Sequence, residues 1–369
     1  MKGPVTFTYE ELVAIKEAGV SEKALEALRI EADKIIASPH TNVTQRTLRA
    51  VSGDPHDYGS MGIYWWPNPD TPDGLPYVQR DGVVNPETQQ KIHLPYGKTL
   101  RLALAYFYFG DEKYREYAEG ELYDWCINPE TRMNPHARYA QAIPGICDGR
   151  GIGLIDFCTA YTLFDGLGIF AAMNAISEDI LEGTLAWYNE FINWILTSEQ
   201  GLEADNATNN HGAWHDAHVL SAAVALGRRS LIKNICLTAY TERHKKHIMT
   251  DGSQPHELHR TKGMGYSFYN YSALLVISNI AEKQGCGEYW SVDEQAGVCL
   301  MKAAADFLYP YVKNPETFPY KELYPDKHKG RMARVLLSID KRFPGEGYRE
   351  RAEELATLGD EIEDLYPIL

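Results

Sequence analysis

The chain is organised around two short stretches of sequence, ATNNHGAW (residues 207–214) and DGSQPHELHRTKGMGY (residues 251–266). The residues between them show helical periodicity, so a helical hairpin would bring the second stretch back to the first. The sequence then predicts that an amide, an imidazole, a guanidinium and a phenol lie within reach of one another. These groups belong to Asn210, His211, Arg260 and Tyr266.

Helical periodicity extends outward from this hairpin over most of the chain. Candidate helices cover residues 90–109, 112–127, 151–174, 178–198, 215–228, 230–249, 266–284, 292–308 and 346–358, and residues 8–37 predict two more. Strand-like alternation is scarce, and no fixed-period repeat is visible, which disfavours a solenoid. Consecutive antiparallel helix pairs of this kind predict an all-α fold, an α/α toroid (an incomplete α/α barrel) that forms a single domain over residues 1–369.

Residues 38–89 break the helical pattern with many Pro, Gly and Asp residues. A structureless stretch of this length inside a compact domain is usually functional, and flat aromatic rings offer large contact area to sugars. We therefore expect a wall or lid over a binding cleft, with a packed surface loop as the alternative. The candidate substrate-binding rings in this region are Tyr64, Trp65, Trp66 and Tyr77.

A second loop, at residues 133–153, carries polar side chains between two predicted helices. Inter-helix loops line the mouth of a toroid, and arginine can contact a carboxylate through two hydrogen bonds. Arg150 lies between two glycines and is the stronger candidate, whereas Arg138 is equally well explained as a solvated surface residue. The candidate substrate-binding residues of this loop are His136, Arg138, Tyr139, Gln141 and Arg150.

The composition restricts the class of partner. The formal net charge of −15 argues against general nucleic-acid binding, which depends on neutralising phosphates, but local charge in a cleft still permits an anionic substrate. The apolar stretches are short and interrupted, and no apolar signal region follows Met1. None of the six cysteines forms a C-x-x-C pair, so a structural zinc site is not indicated. The sequence predicts a soluble protein without membrane insertion, and it indicates no particular oligomeric state.

Histidines are concentrated between residues 211 and 259, and three interpretations compete. The first is a metal site, because His211, His215 and His218 have i, i+4 and i+7 spacing. The zincin pattern H-E-x-x-H is absent, however, since Gly212 stands where the glutamate would be. The second is structural: His215 and His218 hydrogen-bond within the core, and the basic run at residues 243–247 forms a solvated helix face.

The third interpretation is proton chemistry at a uronate. The proton next to a carboxylate is only weakly acidic, so the negative charge must first be offset, and amide, imidazole and guanidinium donors do this without a metal. A base must then take the proton, and an acid must supply one to the departing oxygen. A neutral phenol is a poor base, with an ordinary pKa of about 10, and neighbouring positive charge lowers that pKa. Asn210, His211, Arg260 and Tyr266 supply the full set of groups.

The motifs around these residues resemble the alginate-lyase superfamily. They are NNH (209–211) with Trp214, DGSQPxELxRTK (251–262) with Tyr266, YWWPNP (64–69), NPE (85–87), YAQxIPG (139–145) and GRGIGLID (149–156). The resemblance covers roughly residues 55–285. It is strongest to polysaccharide lyase family 38, and families 5 and 17 are more distant.

This resemblance implies an α/α toroid and metal-independent β-elimination of an acidic polysaccharide, alginate or a related polyuronate, with no cofactor. Asn210, His211 and Arg260 match the carboxylate-neutralising positions, and Tyr266 matches the catalytic tyrosine. The spacing from Arg260 to Tyr266 is one residue shorter than in family 5, which leaves two further candidates for the phenol. These are Tyr269 and Tyr271, and the substrate-binding candidates in and beside the motifs are Trp214, His256, His259 and Lys262. The resemblance also implies a periplasmic or secreted location, with a signal peptide outside the given sequence.

Stereochemistry leaves more than one substrate open. In β-D-mannuronate or β-D-glucuronate the C5 proton and the C4 oxygen leave from the same face, so Tyr266 can act as base and then as acid. In α-L-guluronate they leave from opposite faces, so His211 would be the base and Tyr266 the acid. We expect cleavage of mannuronate-rich alginate, with a glucuronan lyase or a non-catalytic uronan-binding protein as alternatives. A hydrolase would instead need two carboxylates across the cleft, from Asp148, Asp156, Asp216 and Glu257.

Overall fold

Helical periodicity becomes α-helix over most of residues 1–367, the part of the chain that this computed structural model describes. The α-helices are α1 (Tyr9–Ala18), α2 (Glu22–Ile36), α3 (Tyr96–Phe109), α4 (Glu112–Cys126), α5 (Ala160–Ala172), α6 (Glu178–Thr197), α7 (Glu199–Asp205), α8 (Asn210–Ala225), α9 (Arg229–Ala239), α10 (Lys245–His247), α11 (Pro255–Leu258), α12 (Gly263–Gln284), α13 (Leu300–Lys313), α14 (Lys329–Asp340) and α15 (Tyr348–Leu355). The predicted all-α class is confirmed.

Most predicted helices are present, although several boundaries differ. α1 begins after Thr8, whose hydroxyl accepts from the Glu11 N–H at 3.2 Å while the Glu11 carboxylate accepts from the Thr8 N–H at 2.9 Å. α8 and α12 begin earlier than the predicted starts at 215 and 266, whereas the helix predicted from 292 begins only at Leu300. α7, α11 and α14 lie outside the predicted helices.

The chain divides into two compact units. The first consists of Met1–Gly3 and Glu31–Ala207, and the second consists of Pro4–Ile30 and the chain from Thr208 onward. Each unit is described by itself below. The single domain expected over residues 1–369 stays a prediction.

In the first unit, α3 packs against α5. Gly166 of α5 allows the two helices to approach closely, because a Cβ there would lie 2.9 Å from backbone atoms of Thr99 and Leu100. By length and composition the stretch Gly151–Ala172 is apolar enough to cross a membrane, which corrects the expectation that no stretch is long enough. Its most apolar window is 67% buried inside the protein, as core helices of soluble proteins are.

Short strands fasten the region expected to be structureless. β1 (Gly59–Met61) pairs in parallel with β4 (Tyr139–Ala142), and β2 (Trp65–Trp66) pairs antiparallel with β3 (Val78–Gln79). Residues 38–89 are therefore not without secondary structure. Strands of two to four residues are too short to show the alternation from which strands are predicted.

In the second unit, α8 packs against α12. Buried residues of α12 run from Gly263 to Ala281 and lie on all sides of the helix, as expected for a helix enclosed by neighbours. The two helices begin with the residues that the sequence singles out, since Asn210 opens α8 and Tyr266 lies in the first turn of α12.

Candidate active site

Asn210 is held by a buried carboxylate. Its backbone N–H donates to Oε1 of Glu257 at 2.7 Å, and its side-chain amide donates to Oε2 at 2.8 Å. Both residues are 1% exposed, so these bonds replace the contacts with water that both groups lose on folding. An amide nitrogen carries two N–H bonds, and only one of those of Asn210 is used by Glu257.

The local sequence explains why these two residues meet. The Asn209 side chain caps α8 by accepting from the backbone N–H of His211 at 3.2 Å, so the helix begins at Asn210. Glu257 lies in the short helix α11, which a proline opens. Burial raises the pKa of the Glu257 carboxyl, against the opposing effects of its bonds from Asn210 and of the Arg260 charge.

Arg260 both stacks on Tyr266 and donates to it. The guanidinium carbon lies 4.1 Å from the centroid of the phenol ring, and Nη2 donates to the phenolic oxygen at 3.2 Å. Both side chains are partly exposed. A positively charged donor is thus held directly against the phenolic oxygen of Tyr266.

Close packing at the start of α12 places Tyr266 beside Arg260. The backbone N–H of Tyr266 donates to the carbonyl oxygen of Lys262 at 2.8 Å. A Cβ at Gly263 would lie 2.7 Å from the carbonyl oxygen of Leu258, so glycine is what allows α12 to begin directly against α11.

A segment from later in the chain fastens the same helix start. The N–H of Gly263 donates to the carbonyl oxygen of Lys321 at 2.9 Å, and the N–H of Gly265 donates to Oε2 of Glu322 at 2.8 Å. Although burial acts to raise it, the His328 imidazole, whose Nε2 lies 3.7 Å from Oε2, and hydrogen bonds from backbone N–H groups lower the pKa of the Glu322 carboxyl. The sequence analysis does not identify Glu322, because no motif relates it to a glycine 57 positions earlier.

The remaining aromatic and imidazole candidates of these two helices differ in exposure. His211 is partly exposed in the first turn of α8. Trp214 is 4% exposed and packs with its ring 5.1 Å from that of Tyr269, so its burial does not favour the predicted contact with substrate. Tyr271 is fully buried, and burial raises its pKa far above the usual range, which makes it a poor source of phenolate. Burial therefore disfavours only Tyr271, since Tyr266 and Tyr269 are both partly exposed, and the bond from Arg260 is what distinguishes Tyr266.

Three further predicted residues flank the turn between α11 and α12. His256 and His259 are exposed, and the ring of His259 lies 6.1 Å from that of Tyr320. The Lys262 ammonium lies 5.3 Å from the ring centroid of Tyr324. The predicted substrate-binding groups of this turn thus have exposed aromatic neighbours.

The basic run at residues 243–247 is not a solvated helix face, which corrects the sequence interpretation. Arg243 is 7% exposed and His244 is fully buried. The Arg243 guanidinium donates to both carboxylate oxygens of Asp216, at 2.9 and 3.3 Å, and Nε2 of His244 lies 3.0 Å from the Ser278 hydroxyl. A single π-helical turn over Tyr240–His244 separates α9 from α10, and such a turn shifts which side chains face inward.

The other histidines bear on the metal interpretation. His218 is 2% exposed, and burial lowers its pKa to about 3. His215 places Nδ1 3.2 Å from Oδ1 of Asp216. His218 therefore has the buried placement predicted for a core histidine, whereas His215 is partly exposed and lies against a carboxylate. Within residues 1–367, the ring nitrogens of His211, His215 and His218 do not lie within ligand distance of one another. The three histidines do not form the metal set that their spacing allowed.

In the first unit, Gln141 orients Arg150. The guanidinium donates to the backbone and the side-chain oxygen of Gln141, at 3.1 Å in each case. Gln141 in turn donates from Nε2 to Asp156 at 3.0 Å and from its backbone N–H to Ser60 at 2.8 Å. Its φ of 51° is a costly conformation for a residue other than glycine, and it persists here because these bonds fix it. Burial lowers the pKa of Arg150.

The aromatic segment of the first unit is partly exposed. Tyr64, Trp65, Trp66 and Tyr77 all have this intermediate exposure. Trp66 donates from its indole nitrogen to the carbonyl oxygen of Val83 at 3.0 Å, and the backbone N–H of Tyr77 donates to the carbonyl oxygen of Pro144 at 3.1 Å. The segment is thus a fixed wall with accessible rings.

The candidate residues between 136 and 139 differ in their contacts and exposure. Nε2 of His136 lies 3.1 Å from Asp57, and its ring lies 6.1 Å from that of Tyr139. Burial lowers the pKa of His136 despite the nearby carboxylate. Arg138 is exposed and Tyr139 is partly exposed.

Three of the four carboxylates considered for a hydrolase already bind other side chains. Asp156 accepts hydrogen bonds from neighbouring Tyr, Ser and Gln side chains, Asp216 pairs with an arginine, and Glu257 holds Asn210. Asp148 is exposed, but a glycosidase requires two carboxyl groups facing one bond. The arrangement instead suits neutralisation of a carboxylate by amide and guanidinium donors beside a phenol that moves a proton.

Comparisons with known proteins identify the family to which the chain belongs. Residues 42–318 match the family model described as alginate lyase. Similar solved structures include an alginate lyase from Bacteroides ovatus, 31% identical with a TM-score of 0.92 over 100% of both chains. They also include alginate lyase A1-III from Sphingomonas species A1, 16% identical with a TM-score of 0.56 over 95% of this chain and 98% of that one. A variant of A1-III complexed with tetrasaccharide is 16% identical, with a TM-score of 0.57 over 95% and 97%.

A search among curated protein sequences gives no match. The structural matches confirm the predicted fold class, the all-α toroid. Fold and family match together define the class of this protein, a polysaccharide lyase. The chain belongs to the alginate lyase family.

Proposed function

We propose that this lyase cleaves alginate by β-elimination, with a preference for mannuronate-rich runs. The observation that carries the proposal is the contact of Arg260 with Tyr266, in which the guanidinium stacks at 4.1 Å and donates to the phenolic oxygen at 3.2 Å. A family match to alginate lyases and the tetrasaccharide bound to a variant of A1-III support a uronate polymer as the substrate. Membership of polysaccharide lyase family 38 and a periplasmic or secreted location belong to the same proposal.

Catalysis begins with the substrate carboxylate, whose charge opposes removal of the C5 proton. The second amide N–H of Asn210, the imidazole of His211 and the guanidinium of Arg260 offset that charge as it grows. Glu257 contributes by holding the Asn210 amide in one orientation. Donors fixed in place before the reaction need no reorganisation during it.

The elimination then proceeds at Tyr266. The phenolate oxygen takes the C5 proton, the C5–H electron pair becomes the C4–C5 double bond, and the C4–O bond breaks with its electron pair on the departing oxygen. In mannuronate the proton and the leaving group are on the same face, so the protonated Tyr266 returns its proton to that oxygen. The products are a chain with a new hydroxyl end and a chain with a 4,5-unsaturated uronate end.

Three alternatives make different predictions. Glucuronate differs from mannuronate at C2, so a glucuronan lyase would use the same groups. A guluronate linkage would instead require His211 as the base, and His211 is partly exposed beside Asn210. A non-catalytic uronan-binding protein is the third possibility, and it predicts saturable binding without product.

The test is incubation with polymannuronate, polyguluronate and glucuronan, each with and without a chelator. We expect the ultraviolet absorbance of the new double bond to rise fastest on polymannuronate, at the same rate with the chelator. No rise on any polyuronate would refute the lyase, and loss of the signal on chelation would refute metal independence.

A further inference from the structure

Two lysine ammonium groups lie over the ring of an exposed tyrosine beside the candidate active site. Tyr324 is 46% exposed. The ammonium nitrogens of Lys262 and Lys327 lie 5.3 and 4.5 Å from its ring centroid. Both distances fall within the range of attractive cation–π contacts.

We propose that Tyr324, Lys262 and Lys327 form an outer subsite that binds carboxylates of the polyuronate chain beyond the bond that is cleaved. This inference rests on the proposed function. The ring holds two flexible lysine side chains in defined positions, which lowers the entropy that each would lose on meeting a ligand. Two cations on one ring also repel each other, and anionic groups between or beside them relieve that repulsion.

Charge supports an anionic ligand here. The whole protein has a formal net charge of −15, so a pair of ammonium groups on one exposed ring is a local exception. The neighbouring acid Glu322 is already engaged, because it accepts from the backbone N–H groups of Gly265 and Tyr324, at 2.8 and 2.9 Å. A positive patch on an acidic protein attracts an acidic polymer locally.

The subsite is fixed relative to the reacting phenol. The carbonyl oxygen of Lys262 accepts from the backbone N–H of Tyr266 at 2.8 Å, so the lysine and the phenol share the first turn of α12. Lys321 and Glu322 attach the Tyr324 segment to the same turn through Gly263 and Gly265. Uronate units bound here would therefore set the register of the chain at Tyr266.

An aromatic surface continues the subsite. Tyr320 is 37% exposed, and its ring lies 6.1 Å from the exposed imidazole of His259 and 5.5 Å from the ring of Phe318. A partly exposed ring beside cations suits a sugar that carries a carboxylate, because the sugar's apolar face covers the ring while its charge meets the ammonium.

The test compares long and short substrates on variants of the subsite. For Lys327→Gln and Tyr324→Ala we expect KM on long polymannuronate to rise about threefold to tenfold, with kcat nearly unchanged. The lost contacts would stabilise the bound substrate and the transition state equally. The shortest oligosaccharide that the enzyme cleaves should show no such change. Tyr324→Phe, which keeps the ring, and Lys233→Gln, which removes an exposed lysine on α9, are the matched controls.

A binding measurement separates this inference from the proposed function. Calorimetry with polymannuronate on the Tyr266→Phe protein, with and without Lys327→Gln, reports the subsite whether or not product forms. A dissociation constant raised about threefold or more by Lys327→Gln, and less so at high salt, supports the subsite. Equal constants, or the same rise for Lys233→Gln, would overturn it while leaving the lyase activity standing.

Discussion

Glu257 binds Asn210 with both oxygens of one carboxylate, one on the backbone N–H at 2.7 Å and the other on the side-chain amide at 2.8 Å. Removing the carboxylate with Glu257→Ala leaves two buried donors without an acceptor. We expect a loss of about 1–3 kcal/mol in the free energy of unfolding, together with a lower kcat because the amide loses its orientation. Denaturant unfolding and the product absorbance measure the two effects.

The matched control is Glu294→Gln, at an exposed position of the same unit, and it should change neither quantity. Glu257→Gln should fall between wild type and Glu257→Ala, because its amide offers one acceptor and one misplaced donor. An unchanged kcat in Glu257→Ala would show that Asn210 needs no orientation.

Tyr266→Phe should reduce kcat by about a hundredfold or more, because a positioned acid and base contributes at least that much. The change removes one partly exposed hydroxyl and its bond from Arg260, so the melting temperature should move little. Tyr269→Phe is the control, because the ring of Tyr269 packs against Trp214. If Tyr269→Phe instead abolished activity while Tyr266→Phe did not, the phenol would have been misassigned.

Arg260→Lys should lower kcat/KM by about tenfold or more although it keeps the charge. Lysine lacks the flat guanidinium that stacks on Tyr266 while donating to its oxygen. Arg349→Lys, at an exposed position on α15, is the control and should leave kcat/KM unchanged. Added guanidinium ion should partly restore an Arg260→Ala protein. Full activity in Arg260→Lys would mean that charge alone suffices.

Acid should destabilise the second unit through its buried histidines. Burial lowers the pKa of His218 to about 3 and those of His244 and His247 to about 4, whereas an unfolded histidine has a pKa of about 6.5. Below pH 6.5 the unfolded chain therefore binds more protons than the folded chain. The contribution of these histidines to the free energy of unfolding is fully present above pH 6.5 and is lost as the pH falls toward 4. Each histidine contributes up to about 1.4 kcal/mol per pH unit.

Denaturant midpoints at pH 7, 6 and 5 measure this slope. His247→Asn should reduce it, because one titrating group is gone, whereas His259→Gln at an exposed position should not. A slope equal in all three proteins would place the acid sensitivity elsewhere.

The candidate site residues could be selected from the sequence because they lie in local motifs. The two stretches that contain Asn210 and Arg260 with Tyr266 come together on α8, α11 and α12, as the hairpin predicted. A glycine marks one of these close approaches, because Gly263 lies where the start of α12 packs against Leu258. The roles of these residues stay predictions until the substitutions are made.

Non-local contacts could not be predicted in the same way. The basic run that contains Arg243 and His244 has the composition of a solvated face, but its partners Asp216 and Ser278 are 27 and 34 residues away. Burial of those charges depends on a π turn that leaves no mark in the periodicity. Glu322 likewise acts on a helix start 57 residues earlier, a relation that only the folded chain reveals.

The pairing of β1 with β4 has a consequence for motion. The aromatic segment is bonded to the arginine loop by this parallel pair, by the N–H of Gly62 on the carbonyl oxygen of Ala142 at 3.1 Å, and by the N–H of Tyr77 on that of Pro144 at 3.1 Å. Arg150 is anchored to the same strand through Gln141. The two loops are therefore bonded into one piece, and any displacement of the aromatic segment would carry Arg150 with it.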